Sequence, residues 1–191
     1  FIIKEEINPQ VGIDDVLATW KKSGIKDKKG ININYVSLVG KGADKGIVDK
    51  NLKEILDLYY TADVNKKIEP YVSKDKSGKI QKIPLTNLAL DPHDDRHASV
   101  QFQDKLKQFY FIALVTINPN TGELILNVDP AKRNHWVVVD KISHNGVRVE
   151  IYNPSPNKRQ SYSFRELSNS MGGNPNSGWW VERKQSSKGE D

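Results

Sequence analysis

The sequence predicts an α+β domain, in which helices of the N-terminal part pack on a bent antiparallel sheet formed by the C-terminal part. Two patterns indicate this class. Residues 14–22 and 45–60 carry apolar side chains at helical spacing, so that each segment can bury one face. After residue 108, apolar runs rich in β-branched and aromatic residues alternate with turns that contain Asn, Gly and Pro, as in antiparallel strands.

Length and composition are compatible with a single domain. The 191 residues, of which 37% are hydrophobic, can form one core. We assign residues 1–184 to the domain and residues 185–191 to a polar tail. No apolar run approaches the roughly 18 residues that cross a bilayer, so we expect no membrane span. The chain has no cysteine, which excludes disulfides and thiolate metal sites and leaves the compartment undecided.

The positive charge of the chain comes mainly from lysine. The formal net charge is +5, and lysines cluster at residues 21–22, 26–29 and 74–82 in probable loops. Proteins that read nucleic acids tend to use arginine forks and aromatic platforms instead. We therefore interpret the clusters as solvated loops and do not expect a nucleic-acid partner. A basic adapter for anionic polymers, such as cell-wall material, is the weakest of the functional alternatives.

Two helices and a short strand are predicted in the N-terminal part. The first helix, Asp14 to Lys22, stops before Gly24, and the second runs from Lys45 to Tyr60. Between them, Ile31 to Leu38 alternates as a short strand would. The apolar stripes are interpreted as core packing.

The segment from Asp91 to His97 has the pattern of a helix start, with Asp as the cap and Pro at the first helical position. His93 and His97 would then share one face, as paired metal ligands do. The simpler interpretation is that the acidic residues complement the helix dipole and the histidines are exposed. We prefer it, and we expect neither a metal nor another cofactor.

The C-terminal part predicts a series of strands. Phe109 to Ile117 is almost continuously apolar, so it should be buried on both faces, and Glu123 to Val128 should return after a turn. A short strand is expected from Gln160 to Phe164, followed by a helix. Trp179 to Lys184 should be the last strand, with its two tryptophans on opposite faces.

One hairpin brings together two side chains that can do chemistry. The runs Asn134 to Asp140 and Val147 to Pro154 flank an Asn-Gly turn, which is a strong hairpin signal. His135 begins the first strand and Asn153 ends the second, so the two should lie side by side at the open end. Asn153 could then orient the imidazole and leave one ring nitrogen as a base. Asp140 is a rival orienter, but about 17 Å separates it from His135 along an extended strand.

This stretch resembles the papain-like cysteine peptidases, and in particular their C39-like branch. The family pairs a His-led apolar strand with a second strand that ends in Asn/Asp-Pro, as His135 to Val139 and Asn153-Pro154 do here. The similarity extends to Leu106 to Val115 and to Gly42 to Tyr60. It implies a papain-like fold, with His135 as catalytic base and Asn153 as its orienting residue.

The family's nucleophile has no counterpart, because the chain contains no cysteine. One assignment places Val11-Gly12 where the family has Cys-Gly. The other treats the helix from Asp14 to Lys22 as the following helix and expects the cysteine upstream of Phe1. We prefer the second, because that helix has an open charged face, whereas the family's nucleophile helix is buried nearly all round. The oxyanion glutamine of the family cannot be placed.

The resemblance implies hydrolysis of a peptide or isopeptide bond in a peptide or protein substrate. A preceding segment or a partner chain would then supply the nucleophile and cover part of the sheet. The alternative is a non-catalytic binding module that keeps the cleft and has lost the nucleophile. Neither interpretation fixes the substrate.

Overall fold

The computed structural model describes residues 1–6, 9–22, 49–60, 67–71, 73–74, 76–81, 88–91, 94–118, 120–126, 135–154, 158–171 and 178–183. Its elements, in chain order, are α1 (Ile2–Glu6), α2 (Ile13–Lys22), α3 (Asp49–Tyr60), β1 (Ile68–Pro70), β2 (Ser73–Lys74), β3 (Ile80–Gln81), β4 (Ala89–Asp91), β5 (Asp94–Ala98), α4 (Val100–Gln108), β6 (Phe109–Val115), β7 (His135–Ile142), β8 (Arg148–Asn153), β9 (Lys158–Ser163), α5 (Phe164–Met171) and β10 (Gly178–Glu182). The predicted α+β class is confirmed.

The main sheet has six strands in the order β1-β10-β6-β7-β8-β9, and every neighbouring pair is antiparallel. The apolar strand β6 lies inside it, between β10 and β7. All seven of its residues pair with β7 or β10 or both, and its burial on both faces matches the prediction. A central apolar strand of this kind is the natural core of a sheet that is covered on both sides.

One face of the sheet packs under α4 and α5. Because side chains alternate along a strand, Phe111, Ala113 and Val115 of β6 point to the same side as Val137 and Val139 of β7. The helices contribute their buried residues to this cluster, namely Phe102, Leu106, Phe164, Leu167 and Met171. We call this side the α4/α5 face.

The N-terminal helices cover the opposite side, the α1/α3 face. Ile2 of α1 and Leu56 of α3 are buried there against Tyr110, Ile112 and Val181. The helix α2 packs on α3. The predicted packing of N-terminal helices on an antiparallel sheet is therefore present. Trp179 belongs to this face and Trp180 to the other, as the sequence predicts.

The prediction of a helix start at Asp91 is wrong. Residues Asp94–Ala98 form β5, which pairs with β4 in a separate two-stranded sheet. The helix begins at Val100, where the Ser99 side chain accepts a hydrogen bond from the backbone N–H of Phe102. Ser99 is the better cap because the apolar stripe that buries this helix starts with Phe102, not near Asp91.

Other boundaries shift. Of the predicted returning strand at 123–128, the described residues 123–126 form one bridge, between Leu124 and Ile117, and residues 127–128 lie outside the described part. The polar segment around Gly78 joins two short antiparallel strands, β2 and β3. The predicted strand at 31–38, the beginning of the second helix at 45–48 and the tail at 185–191 lie outside the described residues. No helix in the described part of the chain is long and apolar enough to cross a membrane.

Candidate functional site

The β7–β8 hairpin places the two predicted residues at one end of the sheet. His135 is the first residue of β7 and lies opposite Val115 of β6, while Asn153 is the last residue of β8. At the other end, Gly146 closes the turn with φ +72, a left-handed conformation that favours glycine. The Asn145 side chain accepts a hydrogen bond from the Val147 N–H at 3.2 Å. The Asn-Gly turn thus sets the strand pairing that brings His135 close to Asn153.

The two side chains are in contact. His135 Nε2 lies 2.8 Å from Asn153 Oδ1. Asn153 is fully buried, and the imidazole is half-buried. The contact predicted from the hairpin is present, whereas the catalytic role of the pair stays a prediction.

The orientation of the Asn153 carboxamide follows from its other partners. Its Nδ2 donates to the backbone carbonyl of Gly122 at 2.8 Å and to Gln160 Oε1 at 2.9 Å. A backbone carbonyl can only accept, so the amide nitrogen must face it and Oδ1 must face the imidazole. Since Oδ1 also only accepts, His135 Nε2 carries the proton.

The remaining ring nitrogen, Nδ1, then holds a lone pair. No hydrogen bond to Nδ1 is present among the described residues. Burial lowers the pKa of His135 below its usual value, and the hydrogen bond to Asn153 raises the pKa by a smaller amount. The imidazole is therefore neutral near pH 7, which is the state a general base needs before it accepts a proton.

Gln160 and Gly122 complete the site, and sequence reasoning missed both. Gln160 lies in β9 opposite Ile151, which places it diagonally from Asn153 on the same face of the sheet. Gly122 is in the turn after β6, 31 residues before Asn153. The pairing of β8 with β9 could have indicated Gln160, but no local pattern indicates that this turn folds over β8.

Asp140, the rival orienter, has other partners. Its carboxylate pairs with Arg159 and, at 3.2 Å, with Arg183. Arg183 also donates to the carbonyl of Leu106 at 3.2 Å and lies over the Tyr110 ring. Asp140 therefore ties β7, β9 and the end of α4 together and does not contact His135.

The His135–Asn153 pair lies on the α4/α5 face. His135 alternates with Val137 and Val139, and Asn153 alternates with Ile151, all of which belong to that face. The helices α1 and α3 cover the other side. A nucleophile carried on the N-terminal helices would thus have to approach the imidazole around the end of the sheet where β7 begins.

A surface depression of about 620 Å³ lies at the opposite end of β7. Its lining includes Gln103, Lys107, Lys141, Ser143, His144 and Arg183. Neither His135 nor Asn153 contributes to it. The depression and the candidate site are therefore separate features of the described surface.

Comparisons with known proteins found no match: no family model, no curated protein and no solved structure matches this chain. Within the described residues, no group of three or more His, Asp or Glu side chains is placed to hold a metal ion.

Proposed function

We propose that this chain carries the base and the orienting residue of a papain-like, C39-like cysteine peptidase. The reaction is hydrolysis of a peptide or isopeptide bond, and the nucleophilic thiol comes from outside this chain. The hydrogen bond between His135 Nε2 and Asn153 Oδ1 carries the proposal, because it presents a neutral imidazole with its second nitrogen available.

The residues of the chain would act in the proton transfers of both half-reactions. His135 Nδ1 takes the proton of the cysteine thiol, and the resulting thiolate attacks the carbonyl carbon of the substrate. The imidazolium then gives that proton to the leaving amine as the carbon–nitrogen bond breaks, which leaves an acyl-enzyme. In the second half, His135 takes a proton from water, whose oxygen attacks the acyl carbon. The carbon–sulfur bond then breaks, and the imidazolium returns the proton to the departing thiolate. Asn153 keeps the ring orientation through both steps.

The helix α1 lies on the α1/α3 face, opposite His135. Glu6 accepts a hydrogen bond from the Tyr110 hydroxyl near the start of β6, the end of that strand away from His135. Phe1 stacks on Tyr152 with ring centroids 4.5 Å apart and also meets the edge of the Tyr110 ring at 6.0 Å. A thiol carried on a segment before Phe1 would therefore start from this face and pass round the end of the sheet to reach the imidazole.

A pseudo-peptidase binding module is the second candidate. Two observations favour it: the chain has no cysteine, and α1 and α3 pack on the face opposite His135. Such a module would keep the His135–Asn153 contact as a structural hydrogen bond only. The two candidates differ in one respect that can be measured, namely whether His135 is needed for turnover.

The test uses a longer polypeptide, translated from a start upstream of Phe1. Hydrolysis of a peptide library is measured with and without a thiol-alkylating reagent, for the wild type and for His135→Ala, Asn153→Ala and His144→Ala. We expect alkylation to abolish turnover and His135→Ala to lower kcat/KM by about 10²–10⁴-fold, the usual contribution of a general base. Asn153→Ala should lower it in the same direction.

His144→Ala is the matched control, because His144 is exposed in the hairpin turn at the far end of β7. Its kcat/KM should equal that of the wild type. Turnover that survives both alkylation and His135→Ala would refute the peptidase mechanism. A folded protein without turnover on any peptide would favour the binding module.

A further inference from the structure

The buried carboxamide of Asn153 is held by two acceptors that come from different parts of the chain. One is the carbonyl of Gly122 in the turn after β6, at 2.8 Å, and the other is Oε1 of Gln160 in β9, at 2.9 Å. Both hydrogens of Nδ2 are thereby used. Asn153 is fully buried, whereas Gln160 is half-buried.

The direction of this carboxamide decides which nitrogen of His135 carries a proton. If the carboxamide were rotated by about 180°, Nδ2 would face the imidazole and donate to Nε2, and the proton of the ring would move to Nδ1. Nδ1 would then be a donor and could no longer accept a proton. The reversed amide would also set Oδ1 against the Gly122 carbonyl, two acceptors at hydrogen-bond distance.

We propose that Gln160 is a positioning residue, which together with the Gly122 carbonyl fixes the Asn153 carboxamide and so selects the His135 tautomer with its proton on Nε2. The role of that tautomer in peptide hydrolysis rests on the function proposed above. The selection itself does not, because it is a property of the folded chain alone.

We call the Gly122 carbonyl and Gln160 Oε1 together the clamp, and it is anchored on β9. Tyr162, two residues after Gln160 in that strand, accepts a hydrogen bond from the Leu124 N–H at 3.3 Å through its hydroxyl. This contact ties the turn that contains Gly122 to the same strand that carries Gln160. Gly122 itself has φ +70, where glycine is favoured, and its N–H donates to the Asn118 carbonyl at 2.7 Å. The two acceptors therefore keep a fixed separation across Asn153.

A purely structural role for Gln160 would leave the imidazole unchanged. Loss of a buried hydrogen bond could lower stability wherever it occurs, so stability does not separate the two roles. The tautomer of His135 separates them, because among the described contacts Gln160 reaches the ring through the Asn153 carboxamide. The measurement is a long-range ¹H–¹⁵N NMR spectrum of the histidine side chains, recorded on residues 1–191 over a series of pH values.

Three variants carry the test. Gln160→Met removes the acceptor at similar volume, and Gln160→Glu keeps an acceptor oxygen at the same position. Gln103→Met is the matched control, because Gln103 is also half-buried but its side chain donates to the Ala98 carbonyl, near the far end of β7. Circular dichroism confirms that each variant is folded. Gln160→Ser, whose hydroxyl is too short to reach Asn153, replaces Gln160→Met if the latter does not fold.

We expect Gln160→Met to lower the ratio of the Nε2–H to the Nδ1–H tautomer by roughly ten-fold or more, which is the scale of one unsatisfied buried donor. Gln160→Glu should keep the wild-type tautomer, and Gln103→Met should leave the His135 signals unchanged. A wild-type tautomer ratio in a folded Gln160→Met or Gln160→Ser variant would overturn the proposal. The tautomer measurement needs no nucleophile. A negative peptidase assay would therefore not count against the role of Gln160, and an unchanged tautomer ratio would not count against the peptidase.

Discussion

At the scale of single residues, the protonation state of His135 depends on Asn153, which contacts the ring, and on atoms behind Asn153 that do not. The Gly122 carbonyl cannot donate, so it orients Asn153, and Asn153 in turn can only accept from Nε2. Burial then keeps the ring neutral by lowering its pKa. The neutral ring is thus the result of hydrogen-bond direction and desolvation, and the pKa shift has no charged partner among its causes.

The lowered pKa of His135 predicts how stability depends on pH. In the unfolded chain the usual pKa is 6.5, and in the folded chain it is lower. As the pH falls below 6.5, the unfolded state binds a proton first, so the free energy of unfolding should decrease until the folded pKa is passed. His135→Gln removes this contribution. Its urea midpoint should therefore fall less than that of the wild type between about pH 7.5 and 5.

His144→Gln is the control for this measurement, since His144 is exposed in the hairpin turn. Its midpoint should follow the wild type across the same pH range. A His135→Gln midpoint that falls as steeply as the wild type would contradict a buried, neutral imidazole at this position.

The sequence predicted the contact between His135 and Asn153 but not the other residues around it. Both predicted residues sit in one hairpin, whose register follows from an Asn-Gly turn and two apolar strands. Gln160 depends on how the next strand pairs, and Gly122 depends on a turn that reaches Asn153 from 31 residues away. The Asp140 ion pairs with Arg159 and Arg183 likewise join separate strands. Contacts of this range leave no local pattern.

At the scale of elements, the strands with strong patterns appear close to where they were predicted. The apolar run of β6, the hairpin of β7 and β8, and the Trp-Trp strand β10 all differ from prediction by only a few residues. The segment around Asp91 was predicted as a helix start from its Asp cap, the Pro that follows and the acidic residues of the first turn. Cap residues are also common in turns, and the segment pairs as β4 and β5 instead. The apolar stripe, which starts at Phe102, was the better indicator of the helix.

The β7–β8 turn gives a prediction that separates backbone strain from crowding. Gly78 and Gly146 both have left-handed backbones, with φ +80 and φ +72. An added Cβ at Gly78 meets nothing within 4 Å, whereas at Gly146 it would meet the Gln103 side chain and lie 3.1 Å from the Ala98 carbonyl oxygen. Gly78→Ala should cost about 1–2 kcal/mol of stability from strain alone. Gly146→Ala should cost about 1–3 kcal/mol more.

Both variants are compared by denaturant unfolding at one temperature. Equal losses would mean that the turn yields to the added methyl group without disturbing β5 or α4. The order of the two losses matters more than their size, because the strain is common to both positions.

At the scale of the whole molecule, the sheet separates the N-terminal helices from the candidate base. The sequence predicted the packing of those helices on a sheet but not which face they cover, because that choice depends on strand order and connection. In the structure, α1 and α3 cover the face opposite His135, while α4 and α5 share its face. The open end of β7 is therefore the place where an approaching thiol and a substrate carbonyl would have to meet.

The most direct test is the protonation state of His135 in residues 1–191, read from the long-range ¹H–¹⁵N spectrum at neutral pH. The structure predicts a neutral ring with its proton on Nε2 and a bare Nδ1, which titrates below the usual pKa of 6.5. Asn153→Leu, which cannot accept from Nε2, should lose this preference. A wild-type ring protonated on Nδ1, or an imidazolium at pH 7, would contradict the claim that this site holds a general base.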